Sequence, residues 1–259
     1  MLEARGVHAG YGRRDALDGV SISVEPGEVV GLIGPNGSGK TSLLRVCSRA
    51  LRPREGTVRL NGLDPYAVRP REAARLVAVV PQELSTAFPF TVRETVLLGR
   101  APYLSPWGGA TKEDWARARR AMELADVAGL ADRPLDELSG GERQRAIIAQ
   151  ALAQDAPVML MDEPTTHLDL RHVVDALQLV SALARTQDKA VVVVFHDLNL
   201  AATSCDRLYA LDGGRVVAQG TPREVLTREF LAEVYGIEAE VYPHAVTGRP
   251  TVILQVPGR

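Results

Sequence analysis

Eight residues with the sequence GPNGSGKT, residues 34–41, have the spacing G-x-x-x-x-G-K-[ST]. They follow an apolar run, residues 29–33, and precede a helix-like segment that begins at Ser42. Glycines in this spacing let successive backbone N–H groups point inward, which forms an anion site at a helix N-terminus. We therefore predict a bound nucleoside triphosphate. A glycine-rich strand-to-helix turn without a ligand is the alternative.

The residue types in this motif predict individual roles. The Lys40 ammonium can contact the β- and γ-phosphates, and the Thr41 hydroxyl can coordinate a Mg²⁺ ion that bridges the same phosphates. Nucleotide contacts are predicted for the whole motif and the residue after it: Gly34, Pro35, Asn36, Gly37, Ser38, Gly39, Lys40, Thr41 and Ser42.

Two adjacent carboxylates, Asp162 and Glu163, follow the apolar run of residues 158–161. Ligands bind at strand ends in α/β sheets, and neighbouring side chains of a strand point in different directions. We expect Asp162 to hold Mg²⁺ through its water shell and Glu163 to polarise the attacking water. A helix N-cap is the alternative interpretation of this pair.

The segment LSGGERQ, residues 138–144, opens a second helix-like segment. Ser139 and Glu142 have the spacing of a capping box, which is a purely structural interpretation. The adjacent Gly140 and Gly141 additionally allow a phosphate to approach the backbone closely at a helix N-terminus. Because one P-loop already covers one face of the nucleotide, this second helix end predicts contact with the nucleotide of a second copy, and hence a dimer.

The pattern of the whole chain favours an α/β fold that positions these motifs. Residues 158–161 and 191–195 are continuous aliphatic runs, which are typical of parallel strands covered on both faces. The first 30 residues alternate more and favour an antiparallel sheet. Residues 101–109 read as a loop with an exposed Trp107, and residues 212–215 as a hairpin turn. Strands are predicted at residues 2–9, 20–24, 29–33, 57–60, 76–80, 158–161, 191–195 and 208–211, and helices at 91–98, 112–125 and 139–153.

Composition excludes several function classes. With 259 residues, 46% of them hydrophobic, the chain can bury a substantial core. A net charge of −2 gives no global field that would attract nucleic acid. The apolar runs are far shorter than the roughly 20 residues that cross a bilayer. The N-terminus shows no targeting pattern, and the two cysteines form no CxxC motif, so we expect a reducing cytoplasm.

The chain resembles the ATP-binding cassette (ABC) ATPases over nearly its whole length. Six motifs of that family occur in order: the P-loop, Gln82, LSGGE at residues 138–142, the Asp162–Glu163 pair, Asp169 in HLD, and His196. The resemblance implies a P-loop NTPase core (residues 1–82 and 155–240) with an N-terminal antiparallel β subdomain. It also implies an inserted helical subdomain, residues 83–154, and a C-terminal tail, residues 241–259, within one ABC ATPase domain.

The resemblance also implies further roles. Tyr11 is expected to stack on adenine, and Gln82 to sense Mg²⁺ and the γ-phosphate. Asp169 would cross the dimer interface, and His196 would contact the γ-phosphate. His167 is expected to be a loop residue, and the remaining histidines to be solvated or structural: His8, His172 and His244.

The resemblance extends to a subgroup, the ATPase subunits of metal-chelate importers. Four segments of the chain carry this resemblance: residues 87–100, 164–171, 195–199 and 246–250. This group takes up ferric siderophores, haem or cobalamin. Separate membrane permease subunits, a solute-binding protein and a peripheral position on the cytoplasmic face of the cell membrane are implied. Two alternatives remain: a soluble ABC ATPase such as the iron–sulfur cluster assembly type, and an exporter subunit.

Overall fold

In the computed structural model, which describes residues 1–82, 89–105, 107–165 and 168–255, a mainly parallel sheet carries the predicted motifs. Its strand order is β5-β6-β7-β3-β8-β9, and only the last pair is antiparallel among its described neighbours. The strands are β3 (Val29–Ile33), β5 (Val77–Val80), β6 (Val158–Asp162), β7 (Ala190–Val194), β8 (Arg207–Asp212) and β9 (Arg215–Gly220).

The central strands form because their residues suit burial on both faces. Every residue of β3 and β7 is buried, as are the first four residues of β6. Successive side chains of a strand point to opposite faces, so Val191 and Val193 join one hydrophobic cluster and Val192 and Val194 the other. The prediction that these apolar runs are parallel strands is confirmed.

A second sheet and a terminal hairpin flank this core. The antiparallel order β2-β1-β4 agrees with the expectation for the first 30 residues. The turn at residues 212–215 joins β8 and β9 as predicted. The terminal hairpin was not predicted. The additional strands are β1 (Leu2–Tyr11), β2 (Arg14–Val24), β4 (Glu55–Leu60), β10 (Ala239–Pro243) and β11 (Pro250–Leu254).

Helices pack on both sides of the sheet, and the predicted helices between residues 91 and 153 are present within one or two residues. None of the described helices is both long and apolar enough to cross a bilayer. The helices are α1 (Lys40–Cys47), α2 (Pro70–Ala73), α3 (Val92–Leu98), α4 (Lys112–Leu124), α5 (Gly140–Gln154), α6 (Leu170–Gln187), α7 (Leu198–Ser204), α8 (Pro222–Val225) and α9 (Arg228–Tyr235).

A buried ion pair holds the three helices α3, α4 and α5 together. Arg100, which follows α3, lies 3.1 Å from the Asp114 carboxylate in α4, and both side chains are buried. Arg100 also donates a hydrogen bond to the carbonyl oxygen of Ala153 in α5. The loop that follows exposes Trp107 almost completely, as predicted, whereas Pro106 lies outside the described residues.

Candidate active site

The P-loop connects β3 to α1 and takes a backbone that only glycine adopts easily. Gly34 has φ 139°, and a Cβ there would lie 2.0 Å from the Leu211 carbonyl oxygen. Gly39, at the N-cap of α1, has φ 107° and offers no side-chain cap. The first N–H groups of α1 are therefore left available for an anion, as the sequence predicts.

Lys40 lies inside the loop and is nearly buried. Its Nζ donates hydrogen bonds to the carbonyl oxygens of Gly34 (2.7 Å) and Pro35 (2.9 Å). Burial lowers the pKa of Lys40, and the nearby charges of Glu163 and Asp162 oppose this shift. A buried ammonium whose described hydrogen bonds go to two carbonyl oxygens and to the Ser38 hydroxyl is a strong electrostatic partner for an entering phosphate.

Thr41 and Asp162 meet at the point where α1 faces the end of β6. The Thr41 hydroxyl donates to Asp162 Oδ1 at 3.3 Å. Burial raises the pKa of the Asp162 carboxyl, the Thr41 hydrogen bond opposes this, and the adjacent Glu163 charge adds to it. A half-buried carboxylate beside a hydroxyl supplies the oxygen ligands that Mg²⁺ prefers, so the residues present fit this ion.

Glu163 is the centre of a three-residue network. Gln82 Nε2 donates to Glu163 Oε2 at 2.7 Å, and His196 Nε2 lies 2.5 Å from Glu163 Oε1. Glu163 has φ 51°, a left-handed backbone at the strand end, and its side chain is only 11% exposed. Left-handed backbone in a non-glycine residue is costly and concentrates at functional sites. The structure thus brings together residues from distant parts of the chain, because Gln82 lies 81 positions before Glu163 and His196 lies 33 positions after it.

A cavity of about 480 Å³ opens between the P-loop and this network. Residues 36–42, Glu163 and His196 are among its lining residues. Tyr11 also lines the cavity, and its hydroxyl accepts a hydrogen bond from Arg45 at 2.9 Å. Five further lining residues were not predicted from the sequence: Arg14, Asp15, Ala16, Gly213 and Gly214. The turn at residues 212–215 was recognised, but nothing local indicated that it faces the P-loop.

The LSGGE segment does not line this cavity. Ser139 is the N-cap of α5 and forms the predicted capping box with Glu142. The Ser139 backbone N–H and hydroxyl both donate to Glu142 Oε2, at 2.9 and 2.8 Å. Gly141 is buried against His172, where a Cβ would lie 2.6 Å from the imidazole ring. The absence of a side chain at Gly141 thus has a packing reason within the chain, which no local sequence pattern indicates.

Asp169 also lies outside the cavity lining. It is the N-cap of α6, and its Oδ1 accepts from the His172 backbone N–H at 2.9 Å. His172 Nδ1 lies 2.7 Å from the same oxygen. The expectation that His172 is solvated or structural missed this pairing, whose sequence signal is only an Asp-x-x-His spacing. His167 lies outside the described residues.

The chain is similar in sequence to known ATP-binding proteins of transporters. A family model described as ABC transporter matches residues 17–166. The hemin import ATP-binding protein of Streptomyces coelicolor is 46% identical over the full chain, which covers 90% of that protein. The ferric enterobactin transport ATP-binding protein of Escherichia coli is 39% identical over 94% of the chain and 90% of its own length. A cobalamin import ATP-binding protein of Halobacterium salinarum is 43% identical over 97% of the chain but only 63% of its own length.

Two solved structures resemble the fold closely. A metal-chelate-type ABC transporter in an inward-facing conformation superposes with a TM-score of 0.86 at 25% identity, covering 99% of this chain and 98% of the other. A dimeric bacterial ABC transporter cassette superposes with a TM-score of 0.75 at 30% identity, covering 86% of this chain and 99% of the other.

Proposed function

Because the chain belongs to the ABC transporter family, we propose that it is the ATP-hydrolysing subunit of an importer for a metal chelate, namely a ferric siderophore, haem or cobalamin. One observation carries the ATPase proposal. Glu163, held by Gln82 and His196, lies on the same cavity as the P-loop residues that would bind the phosphates. The relatives named for hemin, enterobactin and cobalamin support the class of cargo.

The positions of the residues support the following roles. The glycines of the P-loop and the N–H groups of α1 bind the β- and γ-phosphates of ATP, and Lys40 moves from the loop carbonyl oxygens to them. Tyr11 stacks on adenine. Thr41 and Asp162, with Gln82, would hold Mg²⁺, which supplies positive charge where the phosphate charge develops. Glu163 accepts the proton of the attacking water.

His196 serves two functions in this arrangement. Its Nε2 fixes one oxygen of Glu163, while its half-exposed ring borders the cavity where the γ-phosphate would lie. Gln82 fixes the other oxygen of Glu163 and precedes the segment that leads to α3. The base is therefore oriented from both sides before water attacks, which lowers the entropic cost of the reaction.

The active unit is a dimer of two copies in head-to-tail orientation. Ser139, Gly140, Gly141 and Glu142 lie outside the cavity of their own chain, so they would complete the site of a second copy. Asp169 lies beside them at the start of α6 and would cross the interface. The next residue, Leu170, is apolar and 85% exposed, which suits a surface that a partner covers. The dimeric relative supports this assembly.

The chain has a nucleotide-binding part and a helical part, and this organisation suits a peripheral subunit on the cytoplasmic face of the cell membrane. Residues 1–82 and 155–240 form the nucleotide-binding part, and residues 83–154, which carry α3, α4 and α5, connect through Gln82 to Glu163. Membrane permease subunits would dock near this connection. A solute-binding protein would deliver the cargo to the permease and would not contact this chain.

Replacement of the base tests the ATPase proposal. Glu163→Gln keeps the side-chain size, and we expect ATP binding to persist while turnover falls by about 100-fold or more. Steady-state phosphate release and equilibrium nucleotide binding measure the two quantities. Glu113→Gln, which replaces an exposed carboxylate of α4, is the matched control and should retain wild-type turnover. Near-normal turnover of Glu163→Gln would overturn the assignment of the base.

A second experiment tests the transport proposal. The chain is expressed with candidate permeases and reconstituted in vesicles, and phosphate release is measured with and without a chelate-loaded binding protein. We expect co-purification with the permease and stimulation by the loaded binding protein. Co-purification with iron–sulfur scaffold proteins, or stimulation by an exported substrate, would instead support the iron–sulfur assembly or exporter alternative.

A further inference from the structure

The N-termini of α5 and α6 lie against each other, and the contact is made by one imidazole. A Cβ placed on Gly141 would lie 2.6 Å from Cγ of His172 and 2.8 Å from its Cδ2 and Nδ1. Real Cβ contacts are never this short, so the ring occupies the space that a side chain at position 141 would need. The backbone of the LSGGE segment therefore rests directly on His172.

The same imidazole also holds the carboxylate of Asp169. His172 approaches Asp169 Oδ1 twice, with its backbone N–H at 2.9 Å and its ring Nδ1 at 2.7 Å. The backbone hydrogen bond is the main reason why the pKa of Asp169 lies below its usual value, so the carboxylate stays charged. The Asp169 side chain is nevertheless 66% exposed and can still meet a partner.

We infer that His172 is a positioning residue that joins Asp169 and the LSGGE backbone into one rigid unit, which the chain presents to the ATP-loaded site of a second copy. This inference rests on the proposed function, because both groups act only across the dimer interface. The two segments are 28 residues apart in the sequence, counted from Gly141 to Asp169. Without the ring, Asp169 would lose one of its hydrogen bonds and the Gly141 backbone would lose the surface on which it rests.

Preorganisation is the physical benefit of this arrangement. Groups that are immobilised only on association lower the affinity, and groups held beforehand do not. A hydrogen bond to a charged carboxylate is among the stronger ones, so Nδ1 restrains Asp169 more firmly than the backbone N–H alone would. His172 itself does not line the cavity of its own chain, which separates its role from nucleotide binding.

The test uses ATP-dependent dimerisation on the Glu163→Gln background, where hydrolysis does not reverse the association. His172→Leu removes the ring donor and puts an apolar side chain in its place. His172→Asn places an amide donor near the position of Nδ1. We expect His172→Leu to raise the ATP concentration at half-maximal dimerisation on the order of tenfold, because a charge-assisted hydrogen bond is lost. His172→Asn should recover most of the affinity, and ATP binding by the monomer should not change in either variant.

A matched control separates this role from general stability. His8 forms an equivalent pair with Asp18, with Nδ1 3.2 Å from Oδ1, on the β1–β2 sheet. His8→Leu should therefore dimerise as the parent does, even if its unfolding temperature falls. In the otherwise wild-type enzyme, His172→Leu should raise the KM for ATP, because hydrolysis needs the closed dimer, whereas ATP binding by the monomer should stay unchanged since the P-loop is intact.

The outcomes distinguish this inference from the proposed function. A Glu163→Gln parent that binds no ATP, or binds ATP and stays monomeric, would overturn the proposed function. A parent that dimerises normally, with His172→Leu equal to it, would overturn the inference alone. Equal impairment by His172→Leu and His172→Asn would likewise overturn it, because the ring donor would then not be responsible.

Discussion

The two helix N-termini that would meet phosphate, those of α1 and α5, are built in opposite ways. The N-cap of α1 is Gly39, which has no side chain to offer, and the first turn of α1 carries no acidic residue. The N-cap of α5 is Ser139, which forms a complete capping box with Glu142 in the first turn. The N-terminus of α1 is open to an anion, whereas at the N-terminus of α5 the N–H groups of Ser139 and Glu142 already donate to each other's side chains.

This difference indicates which end binds first. Orphan N–H groups with a lysine beside them give the P-loop a preformed site that one chain can fill alone. The N-terminus of α5 must instead exchange part of its capping box for the new ligand, and the Glu142 charge opposes a second anion. We therefore expect ATP to bind to the P-loop of each copy, and α5 to engage only when the second copy closes.

Lys40→Ala should have the largest effect, because it removes the cation from the N-terminus of α1, the end that is open to an anion. The ammonium donates only to backbone carbonyl oxygens and to Ser38 in the described contacts, so the fold should survive its loss. ATP binding by the monomer should weaken about 100-fold, as expected for lost charge-assisted hydrogen bonds. Equilibrium nucleotide binding measures this, with the exposed Lys112→Ala as control. Tight binding by Lys40→Ala would show that the open end is not the primary site.

Ser139→Ala tests the capped end and should have a smaller effect. Monomer binding of ATP should be unchanged, while ATP-dependent dimerisation on the Glu163→Gln background should weaken about tenfold through loss of one hydrogen bond to phosphate. Loss of the N-cap should also destabilise the fold by about 1 kcal/mol. Denaturant unfolding and light scattering measure the two effects.

Thr221→Ala is the matched control for this substitution. Thr221 forms the same capping box with Glu224 at the start of α8, away from the cavity lining. It should lose a similar free energy of unfolding and dimerise normally. If Thr221→Ala weakened dimerisation as much as Ser139→Ala, the effect at position 139 would be one of stability and not of phosphate contact.

The sequence allowed the open end to be predicted more completely than the capped end. The P-loop is contiguous, so its glycines, Lys40 and flanking elements can be read from one stretch of chain. The capping box of Ser139 is also local, and it was recognised. The packing of His172 on Gly141 joins residues 31 positions apart, and no local pattern shows which helix ends will touch.

Local sequence patterns also account for which strands of the fold could be predicted and which could not. Strands β3, β6 and β7 were predicted because burial on both faces requires continuous apolar residues. The terminal hairpin was missed because its strands mix exposed and buried residues. It is held by tertiary contacts, including Arg249, which donates to the carbonyl oxygens of Ala202 and Cys205 at the end of α7.

Glu142→Gln should have the smallest effect. It makes the N-terminus of α5 more like that of α1, because neither helix would then carry an acidic residue in its first turn. The amide oxygen can still accept from Ser139, so the capping box persists, but the negative charge at the helix N-terminus is lost. We expect the free energy of unfolding at pH 7 to fall by about 0.5 kcal/mol through the lost interaction with the helix dipole. ATP-dependent dimerisation on the Glu163→Gln background should become roughly twofold to threefold tighter, because one repulsion of the partner's phosphates is gone.

The pH dependence provides an independent check on the same residue. Hydrogen bonds from the backbone and hydroxyl of Ser139 lower the pKa of Glu142 below its usual 4.5. A carboxyl with a lowered pKa in the folded state stabilises the fold above its unfolded pKa, and this contribution is lost as the pH falls through the folded pKa. The stability difference between parent and Glu142→Gln should therefore be present at pH 7 and vanish in acid. Glu224→Gln, the equivalent change at α8, should show the same pH profile without any gain in dimerisation; a gain there would mean that surface charge in general, and not the α5 N-terminus, controls association.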